Sequence, residues 1–186
     1  MNSALLQFAE WLGEQSISIG LHESFYLYNW IETTHVLTLM VSIGMLAVID
    51  LRLLGVCFAD VPASKIAARL DKPMLIGFTM MLITGVLLFT AIPVRTTQSL
   101  WFRIKMILLV AACINAWFFR RKMAAAAQTW DLAPKPPRRM RIAGGLSLAL
   151  WSGVIITGRF IAYDWFDCGS ENPAFVDWAA GCLAAQ

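Results

Sequence analysis

Three ionisable side chains lie inside long apolar runs of this chain, each near one end of its run. His35 lies about one helical turn inside the first run, Lys105 lies in the third, and Arg159 lies near the end of the fourth. An ionisable group inside a membrane span is costly and marks a functional site by default. A histidine there is a candidate haem or metal ligand, and the basic groups are candidate partners for carboxylates. The alternatives are a histidine bonded within the protein and basic side chains that reach the lipid surface.

A second set of candidates follows if the cofactor is haem. His22 precedes the first run, and a turn after Gly20 would fold it back over the membrane surface as a second metal ligand. Two axial histidines suit electron transfer, and Lys105 is the alternative second ligand. Haem also carries two propionates, which normally lie at the membrane surface. Their candidate partners are the guanidinium groups of Arg159, Arg103 and Arg95.

Four apolar runs position these side chains. They cover about residues 31–57, 73–92, 100–119 and 142–163, and a helix needs about 20 apolar residues to cross a bilayer. Hydrophobic residues make up 59% of the chain, whereas soluble domains have about 45–50%. The pattern predicts an all-α integral membrane four-helix bundle.

The basic residues indicate the orientation. Eleven of the 15 Lys and Arg residues lie in the two loops that follow the first and third runs. They are Arg52, Lys65, Arg69, Lys72, Arg120, Arg121, Lys122, Lys135, Arg138, Arg139 and Arg141. We call the end of the spans beside these loops the basic side. The positive-inside rule makes this side cytoplasmic and both termini periplasmic. The clusters flank spans and lack interleaved aromatics, so they indicate a bilayer rather than nucleic acid as the partner.

Three segments follow from this topology. Residues 1–24 contain an expected interfacial amphipathic helix over 3–18, ended by Gly20; residues 25–165 form the bundle; residues 166–186 form an external tail. The Pro-rich stretch 133–137 is expected to interrupt the helices in the second basic loop. Aromatic residues at the outer ends of the spans predict an interfacial belt. They are Phe25, Tyr26, Tyr28, Trp30, Trp101, Phe102, Tyr163, Trp165 and Phe166.

The cysteines and a second polar layer give two further expectations. Cys168 and Cys182 lie 14 residues apart in the external tail, where an oxidising compartment favours a disulfide. Asp50, Arg52 and Asn115 lie near the basic side and are expected to fix helix ends, with a proton or ion pathway as the alternative.

Several short motifs resemble a bacterial four-span family of uncharacterised membrane proteins. They are Ile31-Glu-Thr-Thr-His35, Asp50-Leu-Arg-Leu-Leu-Gly55, Thr84-Gly85, Lys105-Met106, Asn115 and Gly158-Arg159. The first-span histidine, the Thr-Gly pair and Trp101-Phe-Arg-Ile-Lys105 are also similar, more distantly, to the membrane protoporphyrinogen IX oxidase and copper-resistance protein D superfamily. That resemblance implies a b-type haem and essential roles for His35 and Lys105, in a bacterial inner membrane.

Three functions follow as expectations. The first is a haem b protein that transfers electrons between a periplasmic partner, or a larger membrane complex, and quinone or a terminal acceptor. The second is a haem-dependent oxidoreductase acting on a porphyrin-like or quinone-like substrate, with Lys105 engaging the substrate or a propionate. The third is an assembly or copper-handling subunit, for which Met40, Met80, Met81 and Met106 are candidate ligands. The residues alone leave open whether the protein is an enzyme.

Overall fold

The computed structural model describes residues 2–131, 133, 136–163, 166, 168 and 171–182. Within these residues the chain forms eight helices and is an all-helical membrane protein, as predicted. They are α1 (Asn2–Gly13), α2 (Ser16–Glu23), α3 (Leu27–Leu54), α4 (Ala63–Ala91), α5 (Pro93–Thr97), α6 (Leu100–Trp130), α7 (Arg138–Ile161) and α8 (Ala174–Ala180). The spans are α3, α4, residues 100–121 of α6, and α7, which are long and apolar enough to cross a membrane.

Two of the spanning helices are longer than their apolar runs. Helix α4 begins at Ala63, ten residues before the predicted start, and Pro73 lies inside it rather than at its beginning. Its first turns continue because Ile66 and Leu70 pack against a buried cluster that contains Leu53. Helix α6 continues past its apolar run to Trp130, through a stretch rich in alanine, the best helix former. Much of each predicted basic loop is therefore helical.

The N-terminal segment is two helices rather than the single helix predicted over 3–18. The break falls after Gly13, where Gln15 has an extended backbone, and Gly20 lies inside α2 instead of ending a helix. Tertiary contacts explain the break. On α2, Ser18 is buried and its hydroxyl donates a hydrogen bond to the Thr90 carbonyl at the end of α4 (2.6 Å).

The chain divides into two compact units. The first comprises Met1–Val36, Leu82–Ile107 and Val154–Gln186, and the second comprises Leu37–Met81 and Leu108–Gly153. Each of the four spans contributes one end to each unit. The first unit contains His35, Lys105 and Arg159, together with α1, α2, α5 and α8. The second contains the residues of the basic side.

The predicted belt residues differ in their exposure. Phe25, Tyr26 and Trp30 at the start of α3, and Tyr163 and Phe166 after α7, are exposed, as a belt requires. Trp101 instead packs on Phe160, with ring centroids 4.6 Å apart. Phe102 stacks on Phe89 at 5.6 Å. These two side chains join helices, because α6 faces its neighbours at that level. Trp165, the predicted belt residue after the fourth span, lies outside the described residues.

Candidate functional site

His35 is held against the second span. Its Nδ1 atom and the Thr84 hydroxyl share a hydrogen bond of 2.9 Å, in which the ring donates when the proton is on Nδ1. The next residue, Gly85, makes this approach feasible, since a Cβ there would lie 3.3 Å from His35 Cε1. The imidazole is partly buried and its orientation is fixed by α4. A hydrogen bond at one ring nitrogen is how proteins orient a metal-binding histidine.

Lys105 is held against the fourth span. Its Nζ atom lies 3.5 Å, and its Cε atom 3.8 Å, from the position that a Cβ would occupy at Gly158. The residue is partly buried on α6. The amine therefore lies over a gap in the side-chain surface of α7 rather than extending fully into the lipid surface. A cation in this position can neutralise a carboxylate or donate hydrogen bonds to a polar group.

Arg159 follows Gly158, the α7 residue that Lys105 approaches, and its side chain is exposed. Its Nη2 atom donates a hydrogen bond of 2.9 Å to the Tyr163 hydroxyl, and its guanidinium carbon lies 4.9 Å from the centre of the Tyr163 ring. Residues four apart on a helix are neighbours, so this pair is local. The guanidinium is thus presented at the surface near the end of the span, where an anionic group can reach it.

Arg103 is committed to the C-terminal tail. Its Nη1 atom donates to the Ala179 carbonyl at 3.1 Å, and Nε and Nη2 each lie 3.4 Å from the Thr97 carbonyl. Gly181 packs directly on this guanidinium and has a φ of 79°, a conformation that favours glycine. Arg103 therefore joins α8 to the end of α5. Its predicted contact with a propionate would require these bonds to break.

The tail contains the predicted disulfide. Cys168 and Cys182 are bonded, with their Cα atoms 5.4 Å apart. The sulfur of Cys168 also lies 3.6 Å from the Gln98 carbonyl. The cross-link and Arg103 together hold α8 against residues 97–103. No sequence pattern pointed to the contacts of Thr97 and Gly181, because they depend on the folded tail.

His22 lies in a different place from His35. It is exposed and lines an open surface cleft of about 370 Å³ with Ser18, Pro93 and Arg95, among others. The cleft reaches α4 at Ala91, seven residues and therefore about 10 Å along the helix from Thr84. Joint ligation of one haem by His22 and His35 therefore stays a prediction.

The second polar layer lies in the second unit, and its Arg52 side chain holds helix ends as expected. Arg52 is fully buried, and its guanidinium donates to the carbonyls of Val61 (2.7 Å), Asp131 (3.3 Å) and Ala133 (3.2 Å). These bonds tie the end of α3 to the chain before α4 and after α6. Asn115 donates to the Ala143 carbonyl at 3.1 Å and joins α6 to α7.

Metal-binding side chains are sparse in the described part of the chain. No group of three or more His, Cys, Asp or Glu residues there is arranged to hold a metal ion. A haem iron needs fewer protein ligands than a metal ion alone, because the porphyrin supplies four of its ligands. His35 is the described side chain whose setting fits this role best, because its ring is already oriented.

Comparison with known proteins adds a family but no activity. No curated protein and no solved structure matches the chain. A family model matches residues 10–164, a range that includes all four spanning helices and leaves out the disulfide-bonded tail. The chain therefore belongs to the family described as "Family of unknown function (DUF6644)".

Proposed function

We propose that this protein binds haem b through His35 and transfers electrons within the membrane. The observation that carries the proposal is the setting of His35, an imidazole in a membrane span whose Nδ1 atom is held by Thr84. Ligating histidines commonly use one ring nitrogen for the metal and the other for an orienting hydrogen bond.

The surroundings of His35 support a haem with its propionates near the end of the spans opposite the basic side. Lys105 on α6 and Arg159 on α7 lie in the same unit. The two helices meet where the Lys105 amine lies over Gly158. A cationic amine and an exposed guanidinium suit two propionates. The distant resemblance to the protoporphyrinogen IX oxidase and copper-resistance protein D superfamily supports roles for His35 and Lys105. When bound, haem supplies a one-electron carrier; the chain orients it and balances its charge.

His22 and Lys105 are the two candidates for a second ligand to the haem. From the sequence His22 is the favoured second ligand and Lys105 the alternative; His22 lines the cleft beside Pro93 and Arg95. A periplasmic redox partner and a quinone or other terminal acceptor complete the proposed electron path. The end of the spans that contains His35 is proposed to face the periplasm of a bacterial inner membrane, because the basic loops lie at the other end.

A haem-dependent oxidoreductase is the second candidate. The observation in its favour is the amine of Lys105, held over the backbone of Gly158 one helical turn from Trp101, which packs on Phe160. An amine beside aromatic surface suits an anionic, planar substrate of the porphyrin class. Turnover of such a substrate by the purified protein would favour this candidate over simple electron transfer.

An absorption spectrum of the protein tests the proposal. The protein is purified in mild detergent from haem-replete cells, and oxidised and reduced spectra are recorded with a metal analysis. We expect a Soret band that is lost in His35→Ala and retained in His22→Ala. Lys105→Met should retain the haem with a changed spin state if Lys105 is a ligand, and with an unchanged one if it pairs with a propionate.

Two spectroscopic results would contradict the proposal. Absence of a Soret band in the wild-type protein overturns haem binding, and copper in the metal analysis would then favour the copper-handling alternative. A band that survives in His35→Ala overturns the assigned ligand. The disulfide-bonded tail serves as the folding control, since Cys168 and Cys182 should stay oxidised in every variant.

A further inference from the structure

Asp50 is a buried carboxyl group in the second unit that the proposed haem chemistry does not use. It lies on α3, four residues before the helix ends at Leu54, which is about 6 Å from that end. Only 4% of the residue is exposed. The carboxyl group accepts a hydrogen bond from the Ser147 hydroxyl on α7. Its Oδ2 atom is buried without a hydrogen-bond partner.

The nearest cation on α3 does not face Asp50. Arg52 is two residues further along, and residues two apart on a helix do not face each other. Its Nε and Nη2 atoms instead donate to the carbonyls of Val61, Asp131 and Ala133, and its Nη1 atom is buried without a hydrogen-bond partner among the described residues. The Asp131 carboxylate is also committed, since it accepts hydrogen bonds from the backbone and hydroxyl of Ser64.

The other elements around Asp50 contribute no charge to it within the described residues. On α7 the contacts are Ser147 and Gly144, where a Cβ would lie 3.1 Å from the Asp50 carbonyl oxygen. Residues from α4, α6 and α7 pack as an apolar cluster around the neighbouring Ile49 and Leu53. Asp71 is paired with Arg120. The remaining described charged side chains of this region are exposed: Asp60, Lys65, Arg69, Lys72, Arg121, Arg138, Arg139 and Arg141.

A buried carboxylate with no cation and an unbonded oxygen is unfavourable, and protonation removes the charge. The carboxyl group is therefore expected to hold a proton. It lies about 6 Å from the end of α3, so a proton has a short route to water on the basic side. We propose that Asp50 is a proton-binding site that exchanges protons with the aqueous phase on the basic side of the membrane. This site does not depend on haem, because its residues belong to the second unit.

Labelling with N,N′-dicyclohexylcarbodiimide tests the proposal. This apolar reagent reacts with protonated carboxyl groups in apolar surroundings. The acid proton moves to a carbodiimide nitrogen and the carboxyl oxygen adds to the central carbon, after which the product rearranges to a stable N-acylurea. No further reactant is needed, and the full-length protein in detergent is suitable.

We expect one adduct on the peptide that contains Asp50, with a yield that falls as the pH is raised. Asp50→Asn should lose the adduct, whereas Asp71→Asn, which alters an ion-paired carboxylate at the same side, should retain it. Mapping in the wild-type protein keeps the test valid even if Asp50→Asn fails to fold. Sodium chloride, compared with choline chloride at one pH, should not protect Asp50.

Two outcomes would overturn the proposal. A wild-type protein whose adducts all map to other carboxyl groups has no protonated Asp50 that the reagent can reach. Protection by sodium would identify the site as a sodium site, since the metal ion and the proton would then compete for the same oxygens.

Discussion

The hydrogen bond between His35 and Thr84 joins two side chains that are 49 residues apart. In the proposed function, this bond orients the imidazole for haem binding. Thr84→Val removes the hydroxyl and keeps the side-chain shape. We expect a loss of about 1 kcal/mol in unfolding free energy and a shifted haem spectrum, measured by thermal unfolding and absorption in detergent.

Thr79→Val is the matched control for this substitution. Thr79 lies on the same helix, is exposed, and its hydroxyl donates only to the Leu75 carbonyl of its own helix. Its loss should leave the spectrum unchanged. Equal spectral effects of the two substitutions would contradict an orienting role for Thr84.

Gly181 lies where the tail packs on Arg103. Its φ is 79°, and a Cβ added there would collide with the Arg103 guanidinium, so the site has no room for a side chain. Gly181→Ala should lower stability by about 1–2 kcal/mol from the backbone alone. Gly20→Ala is the control, since Gly20 lies in α2 with nothing within 4 Å of a Cβ, and should raise stability by about 0.5–1 kcal/mol. Shifts of the same sign in thermal unfolding would contradict the tail contact.

Helices α3 and α4 approach each other in the second unit at Ser42 and Gly77. A Cβ at Gly77 would collide with the Ser42 hydroxyl, whereas it would lie 3.4 Å from the Ser42 Cβ. The Ser42 hydroxyl is buried and has no hydrogen-bond partner among the described residues. Gly77→Ala should therefore cost about 1–3 kcal/mol by overpacking, and Ser42→Ala alone should cost little.

The double variant should recover most of the lost stability. With alanine at both positions, the two methyl groups would be close to ordinary van der Waals contact. A double-mutant cycle on thermal or denaturant unfolding measures the coupling. Additive effects would show that Ser42 and Gly77 do not define the crossing. Gly44→Ala, with nothing within 4 Å of its Cβ, is the control on α3 and should raise stability by about 0.5–1 kcal/mol.

At the scale of the whole molecule, an even number of spans predicts that both ends of the chain lie on one side of the membrane. Because the basic loops lie opposite, we expect that side to be the periplasm. An impermeant thiol reagent should label Cys168 and Cys182 in intact cells after reduction. Cys57, which follows α3 on the basic side, should react only after the cells are opened. The reverse pattern would invert the topology.

The four spans and the disulfide could be predicted from the sequence because their causes are largely local. A run of about 20 apolar residues is stable as a helix in a bilayer whatever its neighbours are, since its backbone bonds are satisfied internally. Cys168 and Cys182 are near each other in the chain, and a loop of 14 residues closes at modest entropic cost. His35 and Lys105 were identifiable because charge and imidazole are rare inside such runs.

What the side chains do was decided by tertiary contacts that cross long sequence distances. The partner of His35 comes from α4, the surface under Lys105 from α7, and the partner of Arg103 from the tail. The break between α1 and α2 likewise depends on Ser18 docking on Thr90. Sequence periodicity records which face of a helix is apolar, but it does not record which residue of another helix meets that face. That choice depends on the packing of all the helices together.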